Sequence, residues 1–143
     1  MYVNTFISPA EDVPAGILEA CDCINGVLSA ELQKFGLSSS AFQLLTLLEV
    51  GEGLPVGELR ALLAISPAHL AGLLTGLRKR GLLERAIARE RRASLLPAGR
   101  KLLQQVNESQ TRRMRELTSS FTTQERTTLC QLLEKVRLLT LQR

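Results

Sequence analysis

Residues 56–81 read VGELRALLAISPAHLAGLLTGLRKRG, and this stretch decides the fold. Leu59, Leu62 and Leu63 recur at helical spacing, Ile65-Ser66-Pro67 breaks the pattern, and Leu70, Leu73, Leu74 and Leu77 resume it. Ser66 is a good helix N-cap, and Pro67 suits the first helical position because its missing N–H would be unpaired there anyway. Gly81 closes the second segment. The spacing predicts two short helices, about 56–64 and 67–80, joined by a tight turn.

Downstream, Leu82–Ile87 and Arg92–Leu96 read as two short strands around a basic tip, Ala88-Arg89-Glu90-Arg91. Pro97 opens a long helix reaching about Leu117. Thr122-Thr123-Gln124-Glu125 is a capping-box pattern for a last helix striped by Leu129, Leu132, Leu133, Val136 and Leu139. Upstream, Ile17, Cys21, Ile24, Leu28, Leu32 and Phe35 draw one stripe along a helix from about Asp12, stopped by Gly36. At roughly 36 Å that rod is too long to bury itself in so small a globule. Ser38 to Ser40 offer caps for a helix over 42–49 with Phe42, Leu45 and Leu48 inward; residues 50–55 read as a turn and 1–11 as an extended lead-in.

The predicted class is mainly α with a small β-hairpin wing: a winged helix-turn-helix whose N- and C-terminal helices form a dimerisation region. The expected division is 1–36, 37–96 and 97–143. A basic hairpin beside a helix sized for the major groove suits duplex DNA. Pattern alone leaves equal room for a small helical domain with an incidental hairpin.

The 143 residues are 45% hydrophobic and 22% charged, enough to build a core. Aromatics are only 3% and Trp is absent, which excludes a base-stacking platform for single strands. The one histidine, His69, excludes His-rich metal sites and disfavours an enzyme. The net charge of +4 is unevenly spread. From Arg78 to Lys101 there are nine basic residues and two acids, a net of +7, so the rest of the chain carries −3. A polyanion fits that segment. Cys21, Cys23 and Cys130 without a secretory signal read as free thiols in a reducing compartment. The longest uncharged stretch, 61–77, is short and broken for a membrane span. No cofactor, metal or membrane is expected, and the location expected is cytoplasmic.

Residues 37–45, 58–66 and 77–85, then Arg91-Arg92, Leu95 and Gly99–Leu103, together resemble the MarR (multiple-antibiotic-resistance regulator) family. They correspond to its core helix, first helix-turn-helix segment, recognition-helix end and wing, in that order. The resemblance implies a homodimeric, double-stranded-DNA-binding transcriptional regulator, with a small-molecule effector as a further partner in many members. The DNA-binding candidates are Ser66, Ala68, His69, Gly72, Thr75, Arg78, Lys79, Arg89, Arg91 and Arg92. Ser66 and the amides after it would hold a phosphate at a helix N-terminus. His69 and Thr75 would meet base edges, Arg78 and Lys79 phosphates, and the three remaining arginines serve the wing.

Three departures from the family pattern matter. The wing is about four residues shorter and carries Glu90-Arg91-Arg92, so either Glu90 braces Arg92 or the wing is too stubby for a minor groove. Leu95-Leu96-Pro97 replaces a hydroxyl cap by a proline start. Ala68, Ala71 and Gly72 stand where polar side chains are common, and each missing bidentate contact forgoes about 1–3 kcal/mol of base discrimination. Phosphate contacts and DNA shape are therefore expected to dominate. Other readings stay open: His69 as a packing residue, Arg78 and Lys79 as cations on the helix dipole, Cys21 as a small hydrophobe. The alternative function is a dimeric winged-helix interaction module with little specific DNA recognition.

Overall fold

Asp12 starts the first helix by accepting the Ala15 amide on its Oδ1 at 3.2 Å. The helix, α1 (Val13–Lys34), ends where Gly36 takes φ +66°. There the amides of Gly36 and Leu37 donate to the carbonyls of Gln33 and Leu32. This is a Schellman stop, with Leu32 and Leu37 both buried across it. The computed structural model describes residues 12–50, 53–84 and 92–142. The expected lead-in at 1–11 lies outside them, as do residues 85–91, which hold the end of the first expected wing strand (85–87) and the basic tip (88–91).

The remaining elements are α2 (Ser39–Val50), β1 (Leu54–Pro55), α3 (Val56–Leu63), α4 (Pro67–Lys79), β2 (Arg92–Ala93), α5 (Pro97–Leu117) and α6 (Thr123–Leu141). The chain divides into two compact units, Met1–Gln110 and Thr111–Arg143. The first holds the core, whose fully buried members include Leu44, Leu45, Leu48, Leu59, Leu70, Leu83, Leu103 and Val106. Helix α2 touches α1, α3 and α4 and is buried over a wide arc, so Leu44 and Ala41 join Leu45 and Leu48 inside. Phe42, expected inward, is only half-buried.

The mainly helical fold with a small antiparallel β element agrees with the sequence, but the strands differ. Residues 54–55 were expected in a turn and instead form β1, paired with β2 through Leu54–Ala93 and Pro55–Arg92. Pro55 has no N–H to give to a ladder, and a two-residue edge strand tolerates it. Among the described residues the wing base comprises 82–84 and 92–96. It holds a bridge between Leu83 and Leu95, with the Glu84 amide on the Ser94 carbonyl and the Leu96 amide on the Leu82 carbonyl. Leu62, expected inward, is 56% exposed. It lies about 60° round α3 from the buried Leu59, on the flank opposite half-buried Leu63.

Gly99 fixes how α5 leaves the wing. A Cβ there would collide with the Leu82 carbonyl oxygen and sit 3.0 Å from Leu95 Cδ2. In the second unit, Thr122 and Glu125 form the expected capping box at the start of α6. On α6 the Arg137 guanidinium, 2.6 Å from Glu134, holds that exposed carboxyl below the usual carboxylate range.

Two helices carry unburied apolar faces within one chain. In α1 only Glu31 and Leu32 are buried, and Cys21, expected to pack as a small hydrophobe, is exposed together with Cys23 and Cys130. By length and composition α1 also meets the requirements of a membrane span, with a mean hydropathy of 1.2 over 18 residues. In α6 no residue is buried, and Leu129, Leu132, Leu133 and Leu139 are 40–60% exposed.

Candidate nucleic-acid interface

Helices α3 and α4 meet at 113° across the three-residue break 64–66. That is the geometry of a helix-turn-helix. Ala64 makes the corner by adopting the left-handed conformation, φ +52°, without being glycine. Ser66 Oγ then accepts the His69 amide at 3.1 Å and caps α4, and Pro67 fills the first turn. At the other end Gly81, φ +72°, and Leu82 donate to the carbonyls of Arg78 and Leu77, a second Schellman stop.

Between these stops, Leu70, Leu74 and Leu77 are buried, with Leu73 half-buried. The opposite face presents Ala68, His69, Ala71, Gly72, Thr75, Gly76 and Lys79 to solvent. All the α4 candidates but Arg78 therefore share one exposed surface. Among the described residues nothing lies within 4 Å of a Cβ built on Gly72 or Gly76, so packing against them does not call for glycine at either position. A groove of about 440 Å³ runs between α3 and α4, lined by Val56, Arg60, Pro67, Ala71, Thr75 and Arg78 among others. Arg60, exposed on α3, brings a cation to this groove. Sequence reasoning missed it, although a lone cation in the last turn of the first helix was a readable signal.

The basic segment is arranged differently from its expectation. Arg78 is half-buried and its Nε donates to the Glu84 carbonyl at 3.2 Å, tying α4 to the wing base. Arg80, which follows α4, donates to the carbonyls of Gly36 and Phe35 at 3.0 and 2.9 Å. Arg92 donates to the Gly53 carbonyl at 2.7 Å, bracing the turn before β1. Arg89 and Arg91 lie outside the described residues, as does Glu90, so the expected Glu90–Arg92 brace does too. Among the described residues no three His, Cys, Asp or Glu side chains converge as metal ligands.

A sequence model described as the MarR family matches residues 35–93, the span from the end of α1 through β2. Residues 35–93 are thus similar in sequence to the MarR family. The fold agrees over most of the chain's length. A MarR family protein from Bacillus stearothermophilus has 19% identity and a TM-score of 0.76, covering 91% of this chain and 94% of that one. The apo form of wild-type MarR from E. coli has 22% identity and a TM-score of 0.74, covering 87% and 96%. A transcriptional regulator from Thermotoga maritima has 20% identity and a TM-score of 0.72, covering 90% and 93%. No curated protein matches the chain by sequence. The matching segment 35–93 contains the helix-turn-helix, and over the rest of the chain the likeness is one of fold.

Proposed function

We propose that this protein acts in the cytoplasm, without a membrane, as a homodimeric regulator that selects its DNA sites largely through phosphate contacts and duplex shape. The observation that carries this reading is the outward face of α4, where Ala68, Ala71, Gly72, Thr75 and Gly76 make a low surface between exposed Lys79 and the α3 cation Arg60. Small side chains admit the backbone close to base edges and meet thymine methyls, but they supply few hydrogen bonds. His69 and Thr75 then give modest base readout. Ser66, Arg78, Lys79, Arg89, Arg91 and Arg92 serve the phosphates, with Arg78 and Arg92 offering only the donors that Glu84 and Gly53 leave over.

In this reading 37–96 is the DNA-binding core, while 1–36 and 97–143 hold two copies together. The exposed leucines of α6 and the unburied apolar length of α1 support that division, since each needs something to bury against. Response to a small-molecule effector rests on the family resemblance. Selection of bound sequences from a random duplex pool, followed by salt titration, tests the proposal. A pseudo-palindromic site with log affinity falling linearly in log salt is expected. A flat salt response, or no binding at low salt, would overturn it.

The second reading, a winged-helix interaction module with little specific DNA recognition, is favoured by one observation. Arg78, Arg80 and Arg92 all direct donors to main-chain carbonyls. Salt titration separates the two readings.

A further inference from the structure

We propose that Arg80 is a positioning residue for DNA binding, one that locks the end of the recognition helix to the end of α1 and makes no phosphate contact itself. The proposal rests on the DNA-binding reading of the chain. Sequence puts Arg80 in the run Arg78-Lys79-Arg80, where it would count as one more phosphate ligand. Its geometry assigns it elsewhere. The two terminal nitrogens of its guanidinium donate separately to Gly36 and Phe35, 44 and 45 residues away. Those carbonyls lie at the stop of α1, where Gly36 turns left-handed and the helix dipole leaves negative charge. One cation thus serves the carboxyl ends of two helices.

The far side of this link is also anchored. Three residues before the end of α1, buried Glu31 accepts Ser109 Oγ of α5 at 2.7 Å. Gln110 of α5 donates to the Leu28 carbonyl of α1 at 3.5 Å. A continuous series therefore runs from α5 through α1 and Arg80 to α4, and a shift of α1 reaches the recognition helix through two charge-assisted hydrogen bonds. Lysine keeps the charge but lacks the planar fork that meets two carbonyls at once.

The test compares the wild-type chain with Arg80→Lys, Arg80→Ala and, as a phosphate-contact control, Lys79→Ala. Affinity is measured against salt on a duplex selected by the wild type and on an unrelated duplex of equal length. Both Arg80 variants should lose roughly tenfold on the selected duplex. They should lose less on the unrelated one and keep the wild-type salt slope. Lys79→Ala should weaken both duplexes alike and reduce the slope by about 0.9. If Arg80→Lys binds like wild type while Arg80→Ala lowers the slope, Arg80 is a phosphate ligand and the proposal is overturned. Variants that melt earlier yet bind both duplexes unchanged would overturn it too. Should Arg80→Ala fail to fold, Arg80→Lys decides alone. A wild-type chain that binds no duplex would instead remove the DNA-binding reading beneath the proposal.

Discussion

Ser109 on α5 donates its hydroxyl to Oε2 of Glu31 on α1 at 2.7 Å. Glu31 is only 6% exposed, and its other oxygen accepts Lys34 Nζ, also at 2.7 Å. A buried carboxylate is tolerable only while hydrogen bonds replace the water it has lost. Ser109→Ala removes one of them, and the expected cost is about 1–3 kcal/mol of folding stability. Urea denaturation reads this directly; an unchanged midpoint would show that Glu31's remaining partners suffice.

Gly99 is the point of closest approach between α5 and the wing base. Gly99→Ala gains helix propensity, but its Cβ strikes the Leu82 carbonyl oxygen, which is backbone and cannot swing away. Crowding of this kind costs about 1–3 kcal/mol. A lowered melting temperature, accompanied by weaker DNA binding as the wing shifts, is expected. A melting temperature at or above wild type would mean that α5 moves freely at this junction.

Gly72 poses the opposite case, because a Cβ there meets nothing among the described residues. Gly72→Ala should stabilise the protein by about 1 kcal/mol, the usual gain for alanine over glycine inside an exposed helix. If the duplex approaches this face closely, the same variant weakens binding to a selected site. Higher stability with undiminished affinity would count against the close-approach reading of α4.

Leu132 and Leu139 lie two turns apart on α6 and are 55% and 60% exposed. Changing both to Asp places charge on the leucine face without disturbing any buried residue of α6, which has none. Sedimentation should show a shift from dimer to monomer, with loss of high-affinity binding to a two-half-site duplex. A variant that sediments as wild type would place the subunit contact elsewhere.

Much of the architecture was legible because its causes are local. The caps at Ser66 and Thr122 and the stops at Gly36 and Gly81 depend on residues within a few positions of each other, so spacing reveals them. The exposed face of α4 followed from the leucine period alone. Strand β1 was hidden because Gly51 and Gly53 read as turn chemistry, and its pairing partners lie 37 and 39 residues further along. Leu62 was misassigned because a two-turn helix offers too few apolar positions to centre its stripe.

The sequence by itself determined the order of helices, their ends, and the concentration of positive charge between Arg78 and Lys101. Only the tertiary structure decided how that charge is used. Arg78, Arg80 and Arg92 reach carbonyls 6 to 45 residues away in the chain, and side-chain reach across a fold leaves no local periodicity to read. The physical reason is that guanidinium donors take whichever acceptor the packed backbone presents, so net charge is a property of composition while its partner is a property of the fold.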